Sequence, residues 1–115
     1  MFGDTMKRTI DKISSKWGLD FILKLQPCSW NWKAPLSDGK KHFGLIAQDV
    51  DNVAPMSDFG FVTTKEGYFA LNYWEFIGPM IRSDHDLHAI LVEMSERIDK
   101  LTKEVEELKK GGKGV

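Results

Sequence analysis

The last third of the chain carries the most regular alternation of apolar and polar positions. From Met80 onward, apolar residues recur three and four positions apart, a spacing typical of a left-handed coiled coil. Asp84 is the one polar residue in this seam, which consists of a positions Asp84, Leu91, Ile98 and Val105 and d positions Met80, Leu87, Met94, Leu101 and Leu108. The pattern predicts a helix over residues 80–110 that associates with copies of itself through about four heptads.

Two properties of this helix stay open at this point. A narrow apolar stripe also occurs on an amphipathic helix that lies along its own domain. Ile or Val at a with Leu at d favours two strands, so the heptads alone do not fix the number of chains. Glu104 at g and Lys109 at e are placed to pair between helices. The Gly-rich residues 111–115 are expected to form a flexible tail.

The chain before this helix carries shorter patterns. Apolar residues between 9 and 25 fall near helical spacing, but Gly18 interrupts them and Asp20 can cap a restart. We therefore expect two short helices, which end before Pro27 because proline disfavours helical geometry in the preceding residue. Asn72 with Glu75 three residues later predicts a capping box that opens another helix, which Pro79 bends or restarts.

Strand patterns fill the space between these helices. Trp30 and Trp32 are two residues apart, which places both indoles on one face of a short strand. Residues 34–40 have turn composition, residues 42–46 form a second predicted strand, and residues 47–54 form a short helix. Residues 59–63 and 68–71 predict a hairpin. The predicted fold is α+β, with a small globular head of short helices and hairpins over residues 1–79 and a long C-terminal helix.

Composition narrows the function classes. The chain has 115 residues and a net charge of −1, so nothing global indicates a nucleic-acid or membrane partner. Residues 1–41 hold eight Lys/Arg against four Asp/Glu, and residues 42–115 hold eight against thirteen, which favours weak attraction between protomers. The single Cys28 excludes an intrachain disulfide. We expect it in the core, together with most of the four Trp and seven Phe.

Two separated blocks, PCSWNWK and KHFGLIAQDVDNVAP, carry a family resemblance. In this order they resemble the self-cleaving intramolecular chaperone domain of phage tail spikes, tail fibres and neck appendages. The matching positions are Pro27, Ser29, Trp30, Trp32, Lys33, His42, Gly44, Ile46, Ala47, Gln48, Asp49, Val50 and Pro55, with a looser match at Leu71, Tyr73 and the following helix. The resemblance covers roughly residues 3–100.

The resemblance implies a homotrimer that holds the chains of a tail spike or appendage in register while they fold. The partner is then the upstream fibre segment of the same polypeptide, which we expect to precede Gly3. The implied location is the host cytoplasm during phage assembly, with the parent protein in the virion tail. A trimeric receptor-binding tip retained on the mature fibre is the alternative. A homologous domain in a membrane-tethered transcription factor is a third option that this short chain does not support.

The family cleaves itself once, before a Ser-Asp pair, with a lysine five residues after the serine as the implied base. Here Gly3 occupies the serine position, Asp4 matches, and Arg8 stands in place of the lysine, with Lys7 beside it. Arginine stays protonated and cannot act as a base. We therefore predict that this chain cannot cleave itself or has already been processed. Gly3 is an engineered change, a cloning remnant or a sign of an alignment shifted by one. Alternatively, Asp4 and Lys7 only open the first helix.

His42 and Gln48 complete the predicted catalytic set. The resemblance implies that they orient the scissile segment or stabilise its carbonyl oxyanion. The alternative is that Gln48 and Asp49 bond to backbone donors at a helix start, with His42 on the surface. His85 and His88 share a helical face, but this pattern arises often by chance, so we predict no metal site. No cofactor is expected.

Overall fold

A long helix projecting from a small head sets the shape of the protein. The computed structural model describes residues 9–112, which measure 78 × 46 × 24 Å. Their radius of gyration is 22.7 Å, against about 13 Å for a compact domain of this length. The architecture is α+β, as predicted. The predicted positions Gly3, Asp4, Lys7 and Arg8, and residues 113–115 of the predicted tail, lie outside the described residues.

Two short helices open the described chain, as the apolar spacing predicts. A 3₁₀ helix covers Ser15–Trp17 and helix α1 covers Leu19–Leu23, so helical structure ends well before Pro27. The predicted role of Asp20 is wrong, because Gly18 is the N-cap of α1 and no side chain caps it. The amide of Leu19 instead donates to Asp86 Oδ2 on the long helix, at 3.0 Å.

Two antiparallel hairpins and one helix form the middle of the head. Strands β1 (Cys28–Asn31) and β2 (Lys41–Gly44) form the first hairpin, and helix α2 covers Ala47–Val53. Strands β3 (Val62–Lys65) and β4 (Tyr68–Leu71) form the second. Its two-residue turn has positive φ at Glu66 (53°) and Gly67 (81°), the backbone pattern of a type I′ turn that matches the strand twist.

The core is small and aromatic. It consists of Phe21, Val50, Ala54, Phe61, Val62 and Phe76, which are at most 6% exposed. The rings of Phe21 and Phe61 lie 4.9 Å apart, and those of Phe61 and Phe76 lie 4.8 Å apart. The expectation that most aromatic residues are buried fails for Trp32, Phe43 and Trp74, which are 48%, 77% and 66% exposed. Cys28 is only half-buried, at the edge of β1.

The start of the long helix lies inside the head. A 3₁₀ helix over Tyr73–Phe76 leads directly into helix α3 (Ile77–Gly112, 36 residues). Asn72 is the N-cap of the 3₁₀ helix, but the predicted capping box is wrong because its side chain makes no cap bond. Pro79 is the third residue of α3, so the helix does not restart there. In this first turn the missing N–H of proline has no intrahelical partner to lose, and the helix continues through it. The helix therefore begins three residues before the predicted boundary and includes Gly111 and Gly112.

Helix α3 is attached to the head through one face of its first three turns. Ser83 is 5% exposed, and Pro79 is also buried. Asp86 accepts the Leu19 amide and lies 3.0 Å from Arg82 Nε, although that ion pair lacks hydrogen-bond geometry. Gly18 packs so closely here that a Cβ would lie 2.7 Å from Asp86 Oδ2. These contacts form the joint between α1 and α3.

Candidate functional site

The seam of α3 is exposed along its whole length among the described residues. Its apolar side chains are between 44% and 75% exposed, and Asp84 is also exposed. The head packs on a neighbouring face of the helix, through Pro79, Ser83 and Asp86, which occupy c, g and c positions of the same heptads. Beyond Asp86, residues 87–111 are exposed on every face, so this part of the helix does not lie along its own head. The structure thus presents an apolar stripe that no part of residues 9–112 covers.

His42 lies on β2 within a cluster of polar and aromatic side chains. Its Nε2 is 2.8 Å from Asp38 Oδ2. The rings of Trp30 and Trp32 lie 5.9 and 6.4 Å from the imidazole, so both indoles occupy one face of the hairpin, as their spacing predicts. Trp30 is the direct cross-strand partner of His42. The imidazole is therefore fixed from two sides, by a carboxylate and by the indoles.

Asp38 organises the turn that leads into β2. Its Oδ1 accepts the backbone amide of Lys40 at 2.9 Å, while the Lys40 carbonyl accepts the Asn31 side-chain amide at 2.9 Å. The hydrogen bond from the Lys40 amide, followed by that from His42, lowers the pKa of Asp38 below its usual value. Asp38 is thus held as an acceptor for both partners over the physiological pH range.

Gln48 lies in the first turn of α2 and faces a groove rather than His42. The groove runs between the two hairpins and is lined by Trp30, Trp32, Leu45, Ile46, Ala47, Gln48, Phe69, Leu71 and Tyr73. No hydrogen bond joins Gln48 to His42 within the described part of the chain. Trp30 and Trp32, whose rings lie near His42, line the same groove as Gln48. The alternative role for Gln48 and Asp49 is not seen, because no side chain caps α2.

Two residues of this region, Asp38 and Tyr73, are absent from the site predicted from the sequence. Asp38 has a usable signal, since an Asp-Gly turn four residues before a histidine places a carboxylate within reach of the ring. Tyr73 has none: its hydroxyl accepts the Leu45 amide at 3.3 Å across 28 residues of sequence. It also lies where a Cβ on Gly44 would be, at 2.5 Å, so the first hairpin can approach the base of α3 only because Gly44 has no side chain.

The remaining candidates have simpler surroundings. Cys28 Sγ donates to the carbonyl of Gln26 at 3.2 Å. His85 and His88 are exposed on α3, and no group of three His, Cys, Asp or Glu side chains within residues 9–112 is placed to hold a metal ion. No helix in that range is both long and apolar enough to cross a membrane.

Comparison with known proteins decides the family. Residues 4–60, about half of the chain, match the family model described as chaperone of endosialidase. The chain belongs to the chaperone of endosialidase family. No curated protein matches it. Membership of this family supports an intramolecular chaperone role in phage tail proteins.

The chaperone of endosialidase match covers most of the predicted catalytic positions. It begins at Asp4, directly after Gly3, and includes Lys7, Arg8, His42 and Gln48. It also spans the first hairpin and α2, which together hold the Asp38–His42 pair and one wall of the groove. It ends before β3, so the looser resemblance through Leu71, Tyr73 and α3 stays a prediction.

Proposed function

We propose that this domain is a trimeric intramolecular chaperone, which holds the upstream segments of three tail spike or appendage chains in register while they fold. The observation that carries this proposal is the uncovered seam of α3, whose apolar residues are at least 44% exposed. Burying apolar surface contributes roughly 25 cal/mol per Å². A helix of about 54 Å with this stripe gains that free energy only by associating with other chains, because its own head packs on another face.

The physical benefit of such an assembly is kinetic. Pairing between three separate fibre chains is slow, since the entropy of bringing distant segments together is lost before any contact forms. A trimer of heads raises the effective concentration of the adjoining segments and thereby sets their register. Three chains rather than two are proposed because the family resemblance implies a trimeric parent. The site of action is then the host cytoplasm during phage assembly.

Sedimentation equilibrium at micromolar concentration tests this assembly. We expect a particle of three times the 13.1 kDa chain mass. Leu101→Glu places a charge at a d position and should dissociate the trimer, whereas Lys103→Gln makes the same change in net charge at an outward f position and should leave it intact. A particle with the mass of one chain for the unaltered protein would exclude the proposed mechanism.

Self-cleavage at the N-terminal edge is the second part of the proposal. In family members that cleave themselves, the chaperone is removed after the fibre has folded. The fibre can then no longer unfold along the route by which it folded, so it is kinetically trapped. His42 and Gln48 are proposed to orient the scissile segment, with Trp30 and Trp32 between them. Gly3 and Arg8 make this chain inactive, because neither supplies a hydroxyl nucleophile or a neutral amine.

The cleavage proposal is tested by restoring the missing groups. Gly3→Ser with Arg8→Lys, placed behind a native upstream segment, should produce a shortened chain on a denaturing gel. The same protein with Gly3→Ala and Arg8→Lys is the matched control and should stay intact. Cleavage in the unaltered protein at this position would show that the assignment of Gly3 is wrong.

One observation favours a second candidate, a receptor-binding tip that stays on the mature fibre. The first hairpin exposes large apolar side chains next to polar ones, with Phe43 77% and Leu36 71% exposed. Loops on a rigid scaffold often carry binding. Mass analysis of mature particles separates the two candidates, since a retained tip is present there and a processed chaperone is absent.

A further inference from the structure

The apolar stripe on α3 is wider at the start of the helix than further along. Ile77 continues the a positions one heptad before Asp84, and Ile81 adds an apolar residue at e. They are 44% and 53% exposed. The later e positions are polar, namely His88, Ser95, Thr102 and Lys109. Apolar residues at a, d and e are typical of a helix packed in a bundle, whereas a and d alone are typical of a two-position coiled-coil seam.

The head of the same chain does not cover this wider part. Pro79, Ser83 and Asp86 contact the head from the c and g positions, on the far side of the helix from Ile81. Trp74, in the 3₁₀ helix just before α3, is 66% exposed. We call Trp74, Ile77, Met80 and Ile81 the root patch. It is continuous with the seam, so any copy that packs along the seam also reaches it.

We propose that Trp74 of each copy packs against Ile77 and Ile81 of the neighbouring copy and thereby fixes the three heads around the trimer axis. This inference rests on the trimer proposed above. In a parallel, in-register bundle, equivalent residues lie at equal heights. Along a helix axis, Trp74 lies about 5 Å before Ile77 and about 10 Å before Ile81. These distances are within or just beyond the length of an indole, so the Trp74 side chain can reach both residues of a neighbouring copy. Repeated around a three-fold axis, this contact closes into a ring.

Trp74 suits such a contact for a physical reason. Tryptophan is enriched among the few residues that dominate binding energy, because it buries a large area with few rotatable bonds. The contact also has a functional consequence. Ile13, near the start of the described chain, packs against Gly78 at the same level of α3, at 3.0 Å from the position of an added Cβ. A ring at this height therefore holds the three upstream segments at a common level.

The test compares the root patch with matched positions outside it. Trp74→Ala and Ile81→Ser should each raise the concentration at which the trimer dissociates, measured by sedimentation equilibrium, by at least about tenfold. Trp32→Ala, an exposed tryptophan on the first hairpin, and Val92→Ser, a 44% exposed b position of α3, are the controls and should leave it unchanged. Circular dichroism checks that each variant folds. If Trp74→Ala fails to fold, the result for Ile81→Ser alone decides the test.

The outcomes separate this inference from the function on which it rests. A monomeric unaltered protein would exclude both. If the unaltered protein is a trimer and either root-patch variant dissociates at the same concentration as its control, the ring contact is overturned. The proposed chaperone trimer would still stand in that case. Tenfold or greater weakening by both variants, with unchanged controls, would support the contact.

Discussion

Gly18→Ala tests how the head is joined to the long helix. An added Cβ would collide with Arg82 Cγ, and would lie 2.7 Å from Asp86 Oδ2 and 3.1 Å from Arg82 Cβ. Two of these atoms are near the backbone of α3, so α1 has to move away. Overpacking of this kind costs about 1–3 kcal/mol, and weakening the bond between the Leu19 amide and the Asp86 carboxylate adds to it. We expect a loss of about 2–4 kcal/mol in the free energy of unfolding of the head.

Urea unfolding followed with two probes measures this loss. All four tryptophans precede α3, so fluorescence reports on the head, whereas circular dichroism at 222 nm reports mainly on the long helix. Gly111→Ala is the matched control, because an added Cβ there meets nothing within 4 Å. Arg82→Ala removes Arg82 Cγ, the atom nearest to the added Cβ. In that background, Gly18→Ala should therefore reduce the free energy of unfolding by a smaller amount. A fluorescence midpoint for Gly18→Ala equal to that of the control would refute this account of the joint.

Three further predictions concern other parts of the molecule. Asp84→Ile should tighten the proposed trimer by at least about tenfold in sedimentation equilibrium, because a polar residue at an a position costs stability; unchanged association would place Asp84 outside the proposed interface. The lowered pKa of Asp38 means that its contribution to stability is present above the unfolded value of about 3.9 and is lost as the pH falls through the lower folded value. Amide protection factors in the first hairpin should therefore fall in that acid range in the unaltered protein but not in Asp38→Asn. Gly44→Ala should destabilise the head, and Tyr73→Phe should relieve part of the loss, because the hydroxyl is the nearest clashing atom at 2.5 Å; equal losses in both backgrounds would contradict the assigned clash.

Local patterns in the sequence predict most of the elements correctly, because their causes are local. Gly18 separates two short helices, and the period of two at Trp30 and Trp32 places both indoles against His42. Each of these outcomes depends on backbone preference or side-chain alternation within a few residues. The heptads of α3 likewise predict a long helix.

The wrong predictions concern how helices are capped, where a backbone amide can bond to a nearby side chain or to one that is distant in sequence. Asp20 and Asn72 have good capping chemistry, yet neither side chain caps its helix. The amide of Leu19 instead bonds to Asp86, 67 residues away. A single sequence contains no signal for such a choice, because packing of the whole head decides which acceptor is close enough.

The sequence by itself therefore determined the elements, the family and the seam, since periodicity and short motifs depend on neighbouring residues. Only the tertiary structure decided which face of α3 the head covers and which face stays open. That choice depends on the Leu19 amide, the Asp86 carboxylate and the missing side chain of Gly18 meeting across the fold. Because the head packs on the face that carries Ser83 and Asp86, Ile77 and Ile81 stay exposed on another face of the helix.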